Sequence, residues 1–349
     1  MVQTLEIKDF VAKLKSTECL LIDARSETEF KRGHVPGAVN LPLLNDNARA
    51  EVGTLYKQKG RQAAVEKGFE LAGPEFHKFI DFVRNNQKGN TVLVYCWRGG
   101  MRSGIMAWIL GLAGFQVILL KGGYKQYRKL ALESFNIERP IMVLGGKTGT
   151  GKTDLLSEMS RNNEIVIDLE ALANHRGSVY GDLGQNPQPT QEHFENLLAW
   201  QWMNIESNAL VWLENESSLI GHLKIPNVLF ENMRNCVVIE VHRDFEVRLQ
   251  RIVKEYGCFD KKVLAEKTTK VQKRLGGLRL QQALEYLDKD NIEGWAGIML
   301  QYYDDTYKHS NSRRQADKIT EVVYNENKSI AENARLIIAA KHSNTAEII

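Results

Sequence analysis

Apolar runs short enough to be strands alternate along the chain with polar stretches and with longer, helix-like patterns. The run "LLID" from Leu20 ends at Asp23; polar residues follow, and "HVPGAVNL" carries the Pro and Gly of a turn leading into another strand. "NTVLVYC" predicts a buried strand that stops at Cys96, and Ser103 opens the helical pattern "SGIMAWILGLAG". The apolar stretch from Ile105 to Leu120 is 16 residues long and broken by glycines and Gln116, which predicts helix, turn and strand and falls short of a membrane span. After "ALESFNIERP" a new strand starts at Ile141, runs into glycines and is followed by a helix. Strands alternating with helices predict an α/β protein with parallel sheets. The tail from Asp317, "DKITEVVYNENKSIAENARLIIAAKH", reads as helical and mostly packing. Trp200, Trp202, Tyr302, Tyr303 and Tyr307 recur at spacings that suit core faces.

At 349 residues the chain suits two domains, expected at 1–135 and 136–349, the second opening on the strand after "ALESFNIERP". A hydrophobic content of 43%, a charged content of 26% and only 7 prolines describe a globular protein. The formal charge of +3 permits a polyanionic partner without demanding one. The cysteines, Cys19, Cys96, Cys236 and Cys258, are far apart and show no C-x-x-C spacing, and no secretory start is evident. A reduced cytoplasm is the expected location, a monomer the expected state, and no membrane contact is expected.

Cys96 is the cysteine whose surroundings point to chemistry. It lies in a strand-to-helix loop, "YCWRGGMRSG", where backbone N–H groups at a helix start favour an anion. Arg98 and Arg102 add to that field, and Gly99 and Gly100 let the loop curl so that several amides converge. A lowered thiol pKa is expected, and a thiolate there can attack and carry a chalcogen atom. Cys19, Cys236 and Cys258 lack such surroundings and are expected to be structural. "DARSETEFKRGHVPGAVNLP", the "VLVYC" strand, the arginine-containing loop and "LKGGYKQY", in this order, resemble a rhodanese domain over about residues 1–130. In the common sulfurtransferase loop the arginine follows the cysteine by five positions, whereas Cys96 and Arg102 are six apart. The wider spacing suits a tetrahedral, phosphate-like donor better than thiosulfate.

In the second half, Gly146, Gly151, Lys152 and Thr153 satisfy the phosphate-loop pattern G-x-x-x-x-G-K-[ST], with Lys147, Thr148, Gly149 and Thr150 between them. Backbone amides there wrap phosphate oxygens, Lys152 neutralises charge, and Thr153 is available to a Mg²⁺ ion. A nucleotide-hydrolysing machine usually adds an acid at a second strand end. Asp168 after "EIVI" and Glu214 or Glu216 after "ALVWL" are candidates, but acids at strand ends also cap helices. Diphosphate or triphosphate binding is therefore better supported than ATP turnover.

A rhodanese domain upstream of a phosphate loop, together with "DLEALANHRGSVYG", "QPTQEHFENLL", "VWLENESSLIG", "KRLGG" and "YYDDTY", resembles the tRNA 2-selenouridine synthase family over nearly the whole chain. The resemblance implies a transferase acting on the wobble 2-thiouridine of tRNA. Sulfur at C2 would first be alkylated from geranyl diphosphate and then displaced by selenium from selenophosphate. It makes Cys96 the selenium-accepting nucleophile and places selenophosphate on Arg98, Gly99, Gly100, Met101 and Arg102. The diphosphate goes to Gly146 through Thr153. Asp168, His175, Arg176, Glu214 and Glu216 are candidates for the uridine or alkylation site, or else structural polar contacts. No tightly bound cofactor is expected and no metal site is assigned.

Between Lys261 and Lys289 eight Lys or Arg face three acids, in what reads as two helices broken at Gly276 and Gly277. Such a surface can neutralise RNA phosphates, and Lys261, Lys262, Lys270, Lys273, Arg274 and Arg279 are the candidate tRNA contacts, extended by Lys121, Lys125, Arg128 and Lys129. A solvated helical face is the alternative. Two rival functions stay open: a tRNA sulfurtransferase that activates uridine with ATP, and a non-catalytic RNA-binding protein whose loop senses anions.

Overall fold

In a computed structural model, residues 2–16, 18–87, 89–311 and 318–341 are described. The chain divides into two compact units, Met1–Ser134 with Thr190–Met203, and Phe135–Pro189 with Asn204–Ile349.

The first unit is built on a five-stranded sheet of β1 (Val2–Leu5), β2 (Leu20–Asp23), β3 (Val39–Asn40), β4 (Thr91–Tyr95) and β5 (Gln116–Leu120). The spatial order is β1-β5-β4-β2-β3, and every pairing is parallel. β4 is central and buried from Val92 to Tyr95, so it is apolar on both faces rather than alternating. Val92, Val94 and Val117 from the sheet join Met106 and Leu110 of the Met101–Leu112 helix in the core. Cys96 follows β4 directly, at the carboxyl end of the middle strand, where open parallel sheets gather their ligands.

The second unit repeats the architecture with β6 (Ile141–Gly146), β7 (Ile165–Ile167), β8 (Val211–Glu214), a short antiparallel pair β9 (Leu219–Ile220) and β10 (Leu223–Lys224), then β11 (Val237–His242) and β12 (Ile319–Val323). The main sheet runs β12-β11-β6-β8-β7, again all parallel, with fully buried β6 in the middle. The phosphate loop leaves the carboxyl end of β6 and enters the Lys152–Arg161 helix. That helix packs with the Ile330–Ala340 helix over Met142, Leu144 and Trp212. A second core gathers Tyr180, Tyr256, Leu264, Trp295 and Met299.

The structure departs from the sequence expectations in three places. The Gln191–Met203 helix groups with the first unit although it lies within 136–349, because its Glu192 and Asn196 hydrogen-bond to Tyr124 and its Asn196 also to His34. The tail does not begin as a helix. Ile319–Val323 forms β12, pairing in register with Val238–His242, and only Ile330–Ala340 is helical; Asp317 and His342 lie outside the described residues. The basic stretch forms three helices, Lys261–Lys270, Gln272–Leu275 and Gly277–Asp288. Among the described residues no helix is long and apolar enough to cross a membrane.

Candidate functional site

Cys96 is buried, and Ser103 in the first turn of the following helix brings its Oγ to 3.1 Å from Sγ and 3.2 Å from Gly100 O. The hydroxyl has one proton, so it donates to the sulfur or to the carbonyl, and an anionic sulfur is the stronger acceptor. The loop is held from behind: Tyr124 N donates to Cys96 O at 2.8 Å and Lys125 N to Trp97 O at 3.1 Å. Gly123 explains why "KGGYK" needs glycine. Its φ is +62°, and a Cβ there would lie 2.2 Å from Cys96 O and 2.4 Å from Gly99 N.

The two arginines of the loop are in different situations. Arg98 is exposed and, among the described residues, pairs with no carboxylate. Arg102 forms two bonds to Glu29, at 2.5 and 3.3 Å, and Arg49 reaches the same carboxylate at 2.9 Å. Burial pushes the Glu29 carboxyl up, but the bonds from Arg102 and Ser26 and the charge of Arg49 outweigh it and hold it below its usual range. Glu29 and Arg49 were not singled out from sequence. The signal was the capping box Ser26-x-x-Glu29, which the structure forms. Met101 stands exposed at the rim.

Beneath the loop, buried Arg25 bonds to both Asp23 oxygens and to Gly33 O, with its guanidinium 3.9 Å from the Tyr124 ring centre. Tyr124 OH in turn donates to Glu192 at 2.8 Å and accepts from Asn196 at 2.7 Å. "QPTQEHFENLL" thus supplies the helix that braces the back of the thiol loop. His34 and His193 lie against each other there, ring centres 4.0 Å apart and planes tilted by 33°.

In the second unit Gly146, Gly149 and Gly151 take φ values of +147°, +83° and +85°, which shape the phosphate loop. Lys152 Nζ donates to Gly146 O at 2.7 Å, and Thr150 Oγ1 to Lys147 O at 2.8 Å. Gly146 N donates to Tyr307 OH at 2.8 Å, and Tyr307 donates onward to Glu240. Tyr307 therefore supports the loop rather than serving only as core. Buried Arg248 donates to Thr148 O at 3.1 Å and is clamped by Asp304, which also lies 3.6 Å from Lys147. Arg251 and Arg243 place guanidinium nitrogens 3.3 and 3.6 Å from where a Cβ on Gly151 would stand. These arginines had no motif to announce them; only the fold brings them to the loop.

Of the acids, Asp168 uses its carboxylate as a helix cap, accepting from Ala171 N at 2.7 Å. Glu214 ends β8, next to β6, and together with Glu170 and Glu216 forms a cluster whose oxygens lie within 4.8 Å of one another. Burial is the main cause, and mutual repulsion a further one, that pushes the carboxyls of Glu170 and Glu214 up. Glu170 was the member that the sequence did not single out. His175 is buried with its Nδ1 unpartnered, and burial holds its pKa down. Arg176 is committed to Glu255.

The basic surface is smaller than its sequence suggests. Lys261 pairs with Asp290 at 2.6 Å and Arg279 with Asp305 at 2.9 Å, while Lys267 is buried against Asp182. Lys262, Lys270, Lys273 and Arg274 stay exposed and unpaired among the described residues. Of the suggested extension, Lys121, Arg128 and Lys129 pair with Glu6, Glu195 and Glu133.

Comparison with known proteins follows the two units. A family model described as the tRNA 2-selenouridine synthase AAA domain matches residues 139–336, and a rhodanese-like domain model matches residues 6–130. A tRNA 2-selenouridine synthase of Nitrosomonas europaea is 39% identical over 247 residues, 68% of this chain and 63% of that protein. One of Nitrosomonas eutropha is 34% identical over 88% of this chain and 92% of its own length. One of Pseudomonas syringae pv. syringae is 34% identical over 85% and 89%.

Proposed function

Since the chain belongs to the tRNA 2-selenouridine synthase family, we propose that it replaces sulfur by selenium at C2 of the wobble 2-thiouridine of tRNA in two steps, one in each unit. The observation that supports this reading is the presence of two unlike anion grips in one chain. One ends in a buried sulfur with Ser103 Oγ at 3.1 Å, and the other is a phosphate loop with Lys152 across its mouth.

In the first step the thione sulfur attacks C1 of geranyl diphosphate. The S–C bond forms as the C–O bond breaks, the electron pair leaves with diphosphate, and N3 of the uridine gives up its proton. Loop amides and Lys152 stabilise the charge that develops on the leaving group. Alkylation turns a poor leaving group into a neutral thiol. In the second step the selenium of selenophosphate attacks C2, so that the C–Se bond forms as the C–S bond breaks and geranylthiolate departs to be protonated. The Cys96 thiolate then takes the phosphoryl group, breaking the Se–P bond, and water releases it as phosphate while N3 regains its proton. Arg98, unpaired among the described residues, is the cation for selenophosphate, and Arg102, fixed by Glu29, shapes the loop. Lys262, Lys270, Lys273 and Arg274 are the tRNA phosphate contacts.

The test is to separate the steps. Cys96→Ser is expected to abolish 2-selenouridine while S-geranylated nucleoside still forms, and Lys152→Ala to prevent that nucleoside from accumulating, both read by mass spectrometry of digested tRNA. Loss of both products in Cys96→Ser, or normal alkylation in Lys152→Ala, would overturn the division. A second reading, ATP on the phosphate loop, is favoured by Glu214 standing at the end of the strand beside β6. It requires nucleotide consumption in step with product, which the two-step reading does not.

A further inference from the structure

Glu170, Glu214 and Glu216 form a group that the two steps above leave without a task. Each brings a carboxylate oxygen within 4.8 Å of the other two, and among the described residues none of them makes an ion pair. Lys152 is the cation whose charge is felt by all three, yet its Nζ bonds to Gly146 O at 2.7 Å. Glu214 is 1% exposed and its Oε1 has no hydrogen-bond partner. Gly177, with φ +64°, closes the group from the side: a Cβ there would stand 2.9 Å from an oxygen of Glu170 and 2.9 Å from one of Glu216. An orphaned buried oxygen within such a group is what a small ligand would leave behind when removed.

We propose that Glu170, Glu214 and Glu216 are the ligands of one hard divalent cation, Mg²⁺ or Mn²⁺, held beside the phosphate loop. Carboxylate oxygens are the ligands such ions select, and they keep some water as well. Three carboxylates this close, one buried and two half-buried, repel one another unless they share protons or a cation, and shared protons would still leave Glu214 Oε1 without a partner. A diphosphate on the loop would add further negative charge beside the three carboxylates. The cation offsets both. Glu170 enters the set through its position three residues beyond β7, and its amide also reaches Glu214 Oε2 at 3.4 Å. Gly177 is required because any side chain there would press on the oxygens of Glu170 and Glu216. Only the link to diphosphate rests on the function proposed above.

Mn²⁺ is the probe, because its free ion gives an electron paramagnetic resonance signal that disappears on binding. The full-length protein is titrated without tRNA or any prenyl donor, with and without inorganic pyrophosphate. One Mn²⁺ per chain is expected, bound more tightly when pyrophosphate is present. Glu170→Gln and Glu216→Gln are each expected to weaken it by at least about tenfold. Glu214→Gln is expected to do more; should this buried variant fail to fold, the other two decide the matter, with circular dichroism confirming that they are native. Wild-type protein that leaves the Mn²⁺ signal unchanged at millimolar concentration overturns the proposal, as does wild-type affinity in Glu170→Gln and Glu216→Gln. Pyrophosphate bound through Lys152 with no Mn²⁺ bound also overturns it, while leaving the diphosphate reading intact. Mn²⁺ bound without any effect of pyrophosphate upholds the cation site and removes the diphosphate reading.

Discussion

Replacing Gly123 by Ala is the sharpest probe of how the thiol loop is held. The new Cβ would lie 2.2 Å from Cys96 O and 2.4 Å from Gly99 N, at least 0.6 Å inside the 3.0 Å that real Cβ contacts respect. Both atoms are backbone, so no side chain can swing away, and the loop itself must lift by roughly an ångström. The bond from Tyr124 N to Cys96 O, now 2.8 Å, would stretch out of range, at a cost of about 1 kcal/mol. Holding Ala at φ +62° adds about 1–2 kcal/mol. Together the losses are about 2–3 kcal/mol of stability, which a first unit of ordinary stability survives. The larger effect is on chemistry, since moving a nucleophile by about 1 Å costs on the order of 100-fold in rate. The assay is selenium incorporation into S-geranylated tRNA, with alkylation of thio-tRNA measured in parallel and expected to stay within about twofold. Gly37→Ala is the control: φ is +83° but nothing lies within 4 Å, so it carries backbone strain without the clash. Equal selenium transfer by Gly123→Ala and Gly37→Ala would refute the claim that this contact positions the sulfur.

Two further outcomes follow from the same geometry. Burial, helped by the neighbouring His34, lowers the pKa of His193 to about 4, so the unfolded chain binds more protons between pH 6.5 and 4 and stability falls as pH drops through that window. After allowance for partial solvent screening the loss is about 1–2 kcal/mol; urea unfolding at several pH values measures it, and an equally steep fall in His193→Gln would refute the assignment. Changing Lys262, Lys270, Lys273 and Arg274 to Gln is expected to weaken tRNA binding and to reduce its log–log salt slope by about 3, whereas changing the paired Lys261 and Arg279 should reduce it by less than about 1. An unchanged slope in the fourfold variant would refute the surface.

Local pattern made much of the fold legible. β2, β4 and β6 end where polar or glycine residues cut an apolar run, and the phosphate loop was marked by its spacing. What escaped was set by distance along the chain. Glu29 meets Arg102 across 73 positions and Tyr307 meets Gly146 across 161, and no periodicity reports such pairs. Basic residues looked free because Asp290 and Asp305, which neutralise Lys261 and Arg279, lie outside the charged stretch or on another helix. β12 escaped for a different reason. A five-residue edge strand with mixed burial has too few alternations to be told from the start of a helix.

The Gln191–Met203 helix belongs to the first unit, so the chain leaves that unit after Ser134, returns at Thr190 and leaves again after Met203. On the ribosome, residues up to 134 would therefore emerge without the partner for Tyr124, and the unit would close only after the segment through Met203 had followed. The first unit is discontinuous in the gene: a fragment cut at Ser134 would expose a polar seam that the intact protein buries, and a rearranged chain with Thr190–Met203 transposed to follow Ser134 through a linker would make the unit continuous for the first time.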